Sequence, residues 1–122
     1  MNSKKRILIF SDFDSIRNIL VKGLSNKGYQ VIETKTYEEA NAQLNGTSFG
    51  LIITDNDVKA QSGKRFIDTT RKITSYLYTP IMLMHSAKKE QLSEEYASYN
   101  IACYMNKPFD MQKFYSIVER IV

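Results

Sequence analysis

The chain has 122 residues, 43% of them hydrophobic and 25% charged, which is enough for one layered domain with its own core and too few for two. No segment approaches the roughly 20 consecutive apolar residues that a membrane helix needs, and the single cysteine, Cys103, excludes an internal disulfide and a multi-cysteine zinc site. Net charge is +4, but lysine and arginine are scattered among acids, so no specific nucleic-acid-binding face is expected.

The basic opening, residues 1–6, is followed by an apolar run of only Ile7 to Phe10, broken at once by Ser11 and Asp12, so it is not a signal peptide. With the lone cysteine, this predicts a cytoplasmic protein with no membrane attachment. Ile7–Phe10 itself reads as a first strand. Ile16, Ile19, Leu20 and Leu24 then recur at helical spacing and predict a helix with all four inward, ending at Gly28. Tyr29–Ile32 reads as a second strand. Thr36-Tyr-Glu-Glu39 has the spacing of a capping box and opens a helix with Tyr37, Ala40 and Leu44 inside, stopped by Asn45-Gly46. Leu51–Ile53 is a third strand, followed by a helix from near Gly63 with Phe66, Ile67 and Ile73 inward. Ile81–Met84 is a fourth strand, residues 89–99 a fourth helix carrying Leu92, Tyr96 and Tyr99, and Ile101–Met105 a fifth strand. The last helix, 110–122, takes Asp110 as N-cap and aligns Met111, Phe114, Ile117, Val118 and Ile121 on one stripe.

This alternation predicts an α/β fold: a doubly wound, parallel five-stranded sheet with helices on both faces, in one domain spanning residues 1–122. Ligands of such sheets bind beyond the carboxyl ends of the strands. There the sequence gathers Ser11, Asp12 and Asp14 after strand one, Asp55 and Asp57 after strand three, His85 and Ser86 after strand four, and Lys107 and Pro108 after strand five. Carboxylates converging from two strands form a hard-oxygen site suited to Mg²⁺, which retains waters and needs few protein ligands. A lysine beside them would neutralise and orient a phosphoryl group. Taken singly, Asp12, Asp14 and Asp57 are better explained as helix caps or turn residues, and their joint placement is what favours chemistry.

Ile7-Leu-Ile-Phe-Ser-Asp12, Leu51-Ile-Ile-Thr-Asp55 with Gly63 eight residues on, Pro80-Ile-Met-Leu-Met84 and Lys107-Pro-Phe109 together resemble the response regulator receiver (CheY-like) family over essentially the whole chain. The resemblance implies strand order 2-1-3-4-5 and a role as a phosphoacceptor switch rather than an enzyme. By position it makes Asp55 the phosphoacceptor, Asp12 the second acidic Mg²⁺ ligand, Asp57 a ligand through its backbone carbonyl, Lys107 the phosphoryl-stabilising lysine and Tyr104 the switch aromatic. It also implies a cis Lys107–Pro108 bond, a turn at Gly63, a histidine kinase or phosphotransfer protein as donor, and an output protein or domain as target.

Three departures stand out. Ser11 replaces the first of two adjacent acids, leaving it to act on the metal weakly, through a water, so weaker Mg²⁺ binding is expected. His85 stands where the family has a threonine or serine on the phosphoryl oxygen; protonated it can donate to an acyl phosphate, neutral it can hold Tyr104 or coordinate a metal weakly, or it can simply satisfy a neighbouring carbonyl. Ser86 is expected to point to the opposite side unless the strand ends early. The loop after Asp55 lacks the family's proline and methionine, and Tyr96, Tyr99 and Tyr104 form either an output face or the edge of the core. These features sustain a second reading, a degenerate receiver that binds proteins independently of phosphate. A third, a small haloacid-dehalogenase-like phosphatase, rests on Asp12-Phe-Asp14 and is opposed by the order of the later motifs.

Overall fold

Five short runs of aliphatic and β-branched residues pair in parallel into one sheet, in the order β2-β1-β3-β4-β5. The computed structural model describes residues 5–122; residues 1–4, the first part of the basic opening, lie outside the described residues. The strands are β1 (Arg6–Phe10), β2 (Gln30–Thr34), β3 (Leu51–Asp55), β4 (Ile81–His85) and β5 (Cys103–Asn106). The helices between and after them are α1 (Asp14–Asn26), α2 (Tyr37–Ala42), α3 (Ser62–Arg71), α4 (Lys89–Glu95) and α5 (Met111–Ile121). Among the described residues no helix is long and apolar enough to cross a membrane.

Every residue of β3 and β4 is buried, as expected of strands covered on both faces. Alternate side chains feed two separate cores. Leu8, Ile52 and Leu83 pack with Ala40, Phe66, Ile67, Leu92 and Tyr96 on one side. On the other, Ile7, Ile9, Ile53 and Met84 pack with Leu20, Leu24, Phe114 and Val118 from α1 and α5. The base of the molecule is stapled by Arg71 at the end of α3, whose guanidinium donates to the carbonyls of Tyr76, Thr79, Tyr99 and Asn100. Burial lowers the pKa of that guanidinium.

Helix punctuation follows local chemistry. Thr36 Oγ1 accepts from Glu39 N at 3.0 Å, while Glu39 Oε1 accepts from Lys35 N rather than completing the box on Thr36. Asp110 Oδ1 accepts from Gln112 N at 2.9 Å. Gly28 and Gly46 take positive φ (94° and 96°) where the chain leaves α1 and α2.

Several sequence expectations are corrected. Ile19 is 55% exposed, and Arg17 is buried on α1 instead. An arginine there is sustainable because its guanidinium meets the Ser11 carbonyl, Asp14 and Glu33. The fourth helix is shorter than 89–99, its last part becoming a 3₁₀ turn over Ala97–Tyr99. Of the two readings of Tyr96, core edge or output face, the structure takes the core one: it is buried, its hydroxyl donating to Asn56 Oδ1 at 2.7 Å. β2 starts after Tyr29 and runs on to Thr34, and β5 starts only at Cys103.

On β3, beside Asp55, Thr54 is fully buried and its hydroxyl has no hydrogen-bond partner among the described residues. An unpaired buried hydroxyl costs on the order of 1–3 kcal/mol. Thr54→Val keeps the shape and removes the hydroxyl, so it is expected to stabilise the fold by about 1 kcal/mol. An upward shift of the urea midpoint at unchanged slope is the expected result; a downward shift contradicts it.

Candidate functional site

Asp55 ends β3 and is 0% exposed. A carboxylate there is sustainable only if its charge is paired and its lone pairs are filled. Lys107 Nζ lies 2.7 Å from Oδ1 and 2.7 Å from Oδ2, forking the carboxylate. Ser11 Oγ donates to Oδ2 at 2.9 Å, and the Asp57 backbone N–H donates to Oδ1 at 2.9 Å. Both oxygens are therefore fully engaged.

Each donor is set by the element that carries it. The Lys107 backbone N–H donates to the His85 carbonyl at 2.7 Å, extending the β4–β5 pairing one residue past Asn106, and the Lys107–Pro108 bond that follows is cis. The ammonium also lies 4.6 Å from the centroid of the half-exposed Phe13 ring. Ser11 follows β1 directly and is fully buried; its N–H donates to Thr34 O, and its carbonyl accepts from Arg17 Nη1 at 2.8 Å. Its Oγ accepts from Phe13 N while donating to Asp55, so both capacities of the hydroxyl are used. Gly63 lies in the first turn of α3 with ordinary backbone angles; a Cβ there would press into the Asp55 carbonyl, so glycine is required by close approach rather than by a turn. Positive φ in this loop falls instead on Ala60 (54°) and Gln61 (55°).

The other candidates divide. Asp12 Oδ2 accepts from Lys59 N at 3.2 Å, tying the β1–α1 loop to the loop after β3. Asp14 pairs with Arg17, which holds its carboxyl below the usual range, so Asp12 and Asp14 do not converge as the phosphatase reading requires. Asp57 meets the site through its side chain as well as its backbone: Oδ2 accepts from Ser86 Oγ at 2.9 Å and lies 3.2 Å from Lys107 Nζ. Ser86 reaches it because β4 ends at His85 and the chain turns, which releases the next residue from strand alternation. His85 is buried, and its Nδ1 lies 2.8 Å from the Ala87 carbonyl; a carbonyl only accepts, so Nδ1 carries the proton. The ring stands edge-on to half-buried Tyr104, centroids 6.2 Å apart, and burial raises the Tyr104 phenol pKa.

Asp12, Asp55 and the Asp57 carbonyl form an all-oxygen donor set at the ends of neighbouring strands β1 and β3, which fits Mg²⁺ in kind because that ion needs only one or two carboxylates. As placed, Asp12 is engaged by Lys59 and Asp55 by Lys107 and Ser11, and the described residues contain no group of three acidic, histidine or cysteine side chains about a common point. A cation would thus compete with donors already present.

Sequence reasoning missed Arg17 and the side-chain role of Asp57. The Asp14-x-x-Arg17 spacing, one helical turn, was the available signal for the first.

Residues 7–119 match the family model of the response regulator receiver domain. Among curated proteins, the chain is 28% identical over 118 residues to one of Cyanophora paradoxa named as a probable transcriptional regulator, covering 95% of this chain and 55% of that protein. It is also 28% identical over 108 residues to the protein PetR of Rhodobacter capsulatus, covering 88% of this chain and 44% of that one. The chain thus spans about half the length of these relatives. The fold is that of a chemotaxis response regulator of Vibrio cholerae, with a TM-score of 0.86, 24% identity and coverage of 96% of this chain and 98% of that one.

Removing Lys107 strands a buried carboxylate, which typically costs on the order of 3–5 kcal/mol. Because Lys107 is 17% exposed and water can enter, Lys107→Met is expected to destabilise by about 3 kcal/mol in urea unfolding. Adding Asp55→Asn should restore more than half of that loss; equal stability of the single and double variants contradicts the pairing.

Proposed function

The chain belongs to the response regulator receiver family, and from that premise we propose that it is a two-component phosphorelay receiver that accepts a phosphoryl group on Asp55. The observation that carries the proposal is the fork of Lys107 across both oxygens of a buried, strand-end carboxylate. The donor is a phosphohistidine on a histidine kinase or phosphotransfer protein. One Asp55 oxygen attacks phosphorus, the P–N bond breaks, the imidazole leaves and takes up a proton, and an acyl phosphate forms. Hydrolysis of that acyl phosphate by water returns the carboxylate and inorganic phosphate. On this reading the protein is a self-acting switch rather than an enzyme with an external substrate.

Lys107 does the electrostatic work of the chain itself: its ammonium lowers the cost of bringing an anionic donor to an anionic acceptor and can pass from an Asp55 oxygen to a phosphoryl oxygen. Ser11 holds the second Asp55 oxygen and keeps the carboxylate oriented. Asp12, Asp55 and the Asp57 carbonyl would hold Mg²⁺, with Ser11 contributing only weakly through water, and the ion would supply further charge screening. The change at Asp55 is read out past Lys107 and His85 at Tyr104, toward a partner protein or an output domain, in the cytoplasm.

A second reading has its own support. His85 Nδ1 is committed to the Ala87 carbonyl, so position 85 offers no hydroxyl to a phosphoryl group, as a phosphate-independent binding module would allow. Incubation with acetyl phosphate and Mg²⁺ followed by intact-mass measurement separates the two. The expected result is a gain of one phosphoryl group that Asp55→Ala abolishes. No gain, or a gain that survives Asp55→Ala, leaves the binding module.

A further inference from the structure

We propose that the Asp57 side chain is a built-in occupant of the phosphoryl pocket, an anion that must leave before Asp55 can be phosphorylated. The inference rests on the reading of Asp55 as acceptor and concerns what controls access to it. Asp57 Oδ2 takes a hydrogen bond from Ser86 Oγ at 2.9 Å and lies 3.2 Å from Lys107 Nζ, the same ammonium that sits 2.7 Å from each Asp55 oxygen. One carboxylate oxygen is thus held between a hydroxyl at the end of β4 and the ammonium at the end of β5. Those are the donors that an oxygen of a phosphoryl group on Asp55 would need, since the group would be bonded to an atom within reach of the same Lys107.

Two local features place Asp57 there. Its backbone N–H donates to Asp55 Oδ1 at 2.9 Å, which leashes it to the acceptor. The end of β4 at His85 turns Ser86 toward the site, so the hydroxyl absent at position 85 is supplied one residue later. The site is therefore complete without phosphate: Lys107 serves two carboxylates, and Ser86 serves the outer one. An incoming phosphoryl group must displace Asp57 from both donors and meets its negative charge while doing so. Asp57 is thus a positioning and gating residue, acting through Lys107 and Ser86. Once it swings out, Ser86 Oγ and Lys107 Nζ pass to phosphoryl oxygens.

The test is the initial rate of phosphorylation by acetyl phosphate, followed by intact mass, with Mg²⁺ raised until the rate no longer increases so that metal affinity drops out. Asp57→Asn keeps the shape and the backbone, removes the charge, and is expected to raise the rate about tenfold over the unaltered protein. Asp57→Ala should do the same, guarding against an amide that still occupies the pocket. Adding Ser86→Ala to Asp57→Asn should return most of that gain, because the phosphoryl group then loses the Ser86 hydroxyl as a donor. Equal or slower rates in both Asp57 variants, with Asp55 still phosphorylated, overturn the gate and leave the acceptor standing. No phosphoryl gain in the protein or in any variant overturns both.

Discussion

The structure depends on keeping one carboxylate, Asp55, charged inside a sheet whose central strands have no access to water. That charge is paired with Lys107 across the intervening β4, so β3, β4 and β5 must be in register for the ammonium to reach both oxygens. The remaining lone pairs require Ser11 from the end of β1 and the Asp57 N–H from the following loop. The end of β1, the end of β5 and the loop after β3 are thereby fixed about one group. The packing then tightens around it: α3 can approach the Asp55 carbonyl only because residue 63 is glycine, and Arg17 holds the Ser11 carbonyl from α1. A chemical change at Asp55 would alter an ion pair on which the alignment of strand ends rests, which on the proposed function couples function to folding.

Much of the frame was legible because it follows from period and burial. Runs such as Ile81–Met84 and Leu51–Ile53 are continuous apolar stretches, as strands covered on both faces must be, and the helix stripe of Phe114 and Val118 lies on the predicted face. The positions of Asp55 and Lys107 followed from reading what comes after each strand. Other parts were not legible because they depend on where elements stop or on how far side chains reach. Ser86 faces the site because the chain turns after β4 ends at His85; the apolar run Ile81–Met84 marks the strand, but not which way that turn sends the next hydroxyl. Arg17 displaces Ile19 as the buried neighbour of Leu20 because a long guanidinium can find three acceptors where an isoleucine would find only packing.

The departures at positions 11 and 85 fall into one scheme. An aspartate at 11 would place a second carboxylate against a buried one; Ser11 places a donor there instead, at the expense of negative charge for a cation. His85, bonded to Ala87, anchors the β4–α4 turn and packs against Tyr104, while Ser86 takes over the hydroxyl at the rim. Asp57 then closes the circuit between Ser86 and Lys107. The resulting site is more fully self-satisfied than an open metal-binding pocket, with each donor already engaged by a protein anion.

The most direct measurement is a crystal structure of the protein grown with Mg²⁺ and beryllofluoride, which mimics an acyl phosphate on a carboxylate. The account predicts the adduct on Asp55, with Lys107 Nζ and Ser86 Oγ on its fluorines and the Asp57 carboxylate turned away from both. A structure with Asp55 bare, Lys107 still across its two oxygens and Asp57 still between Lys107 and Ser86 would contradict it.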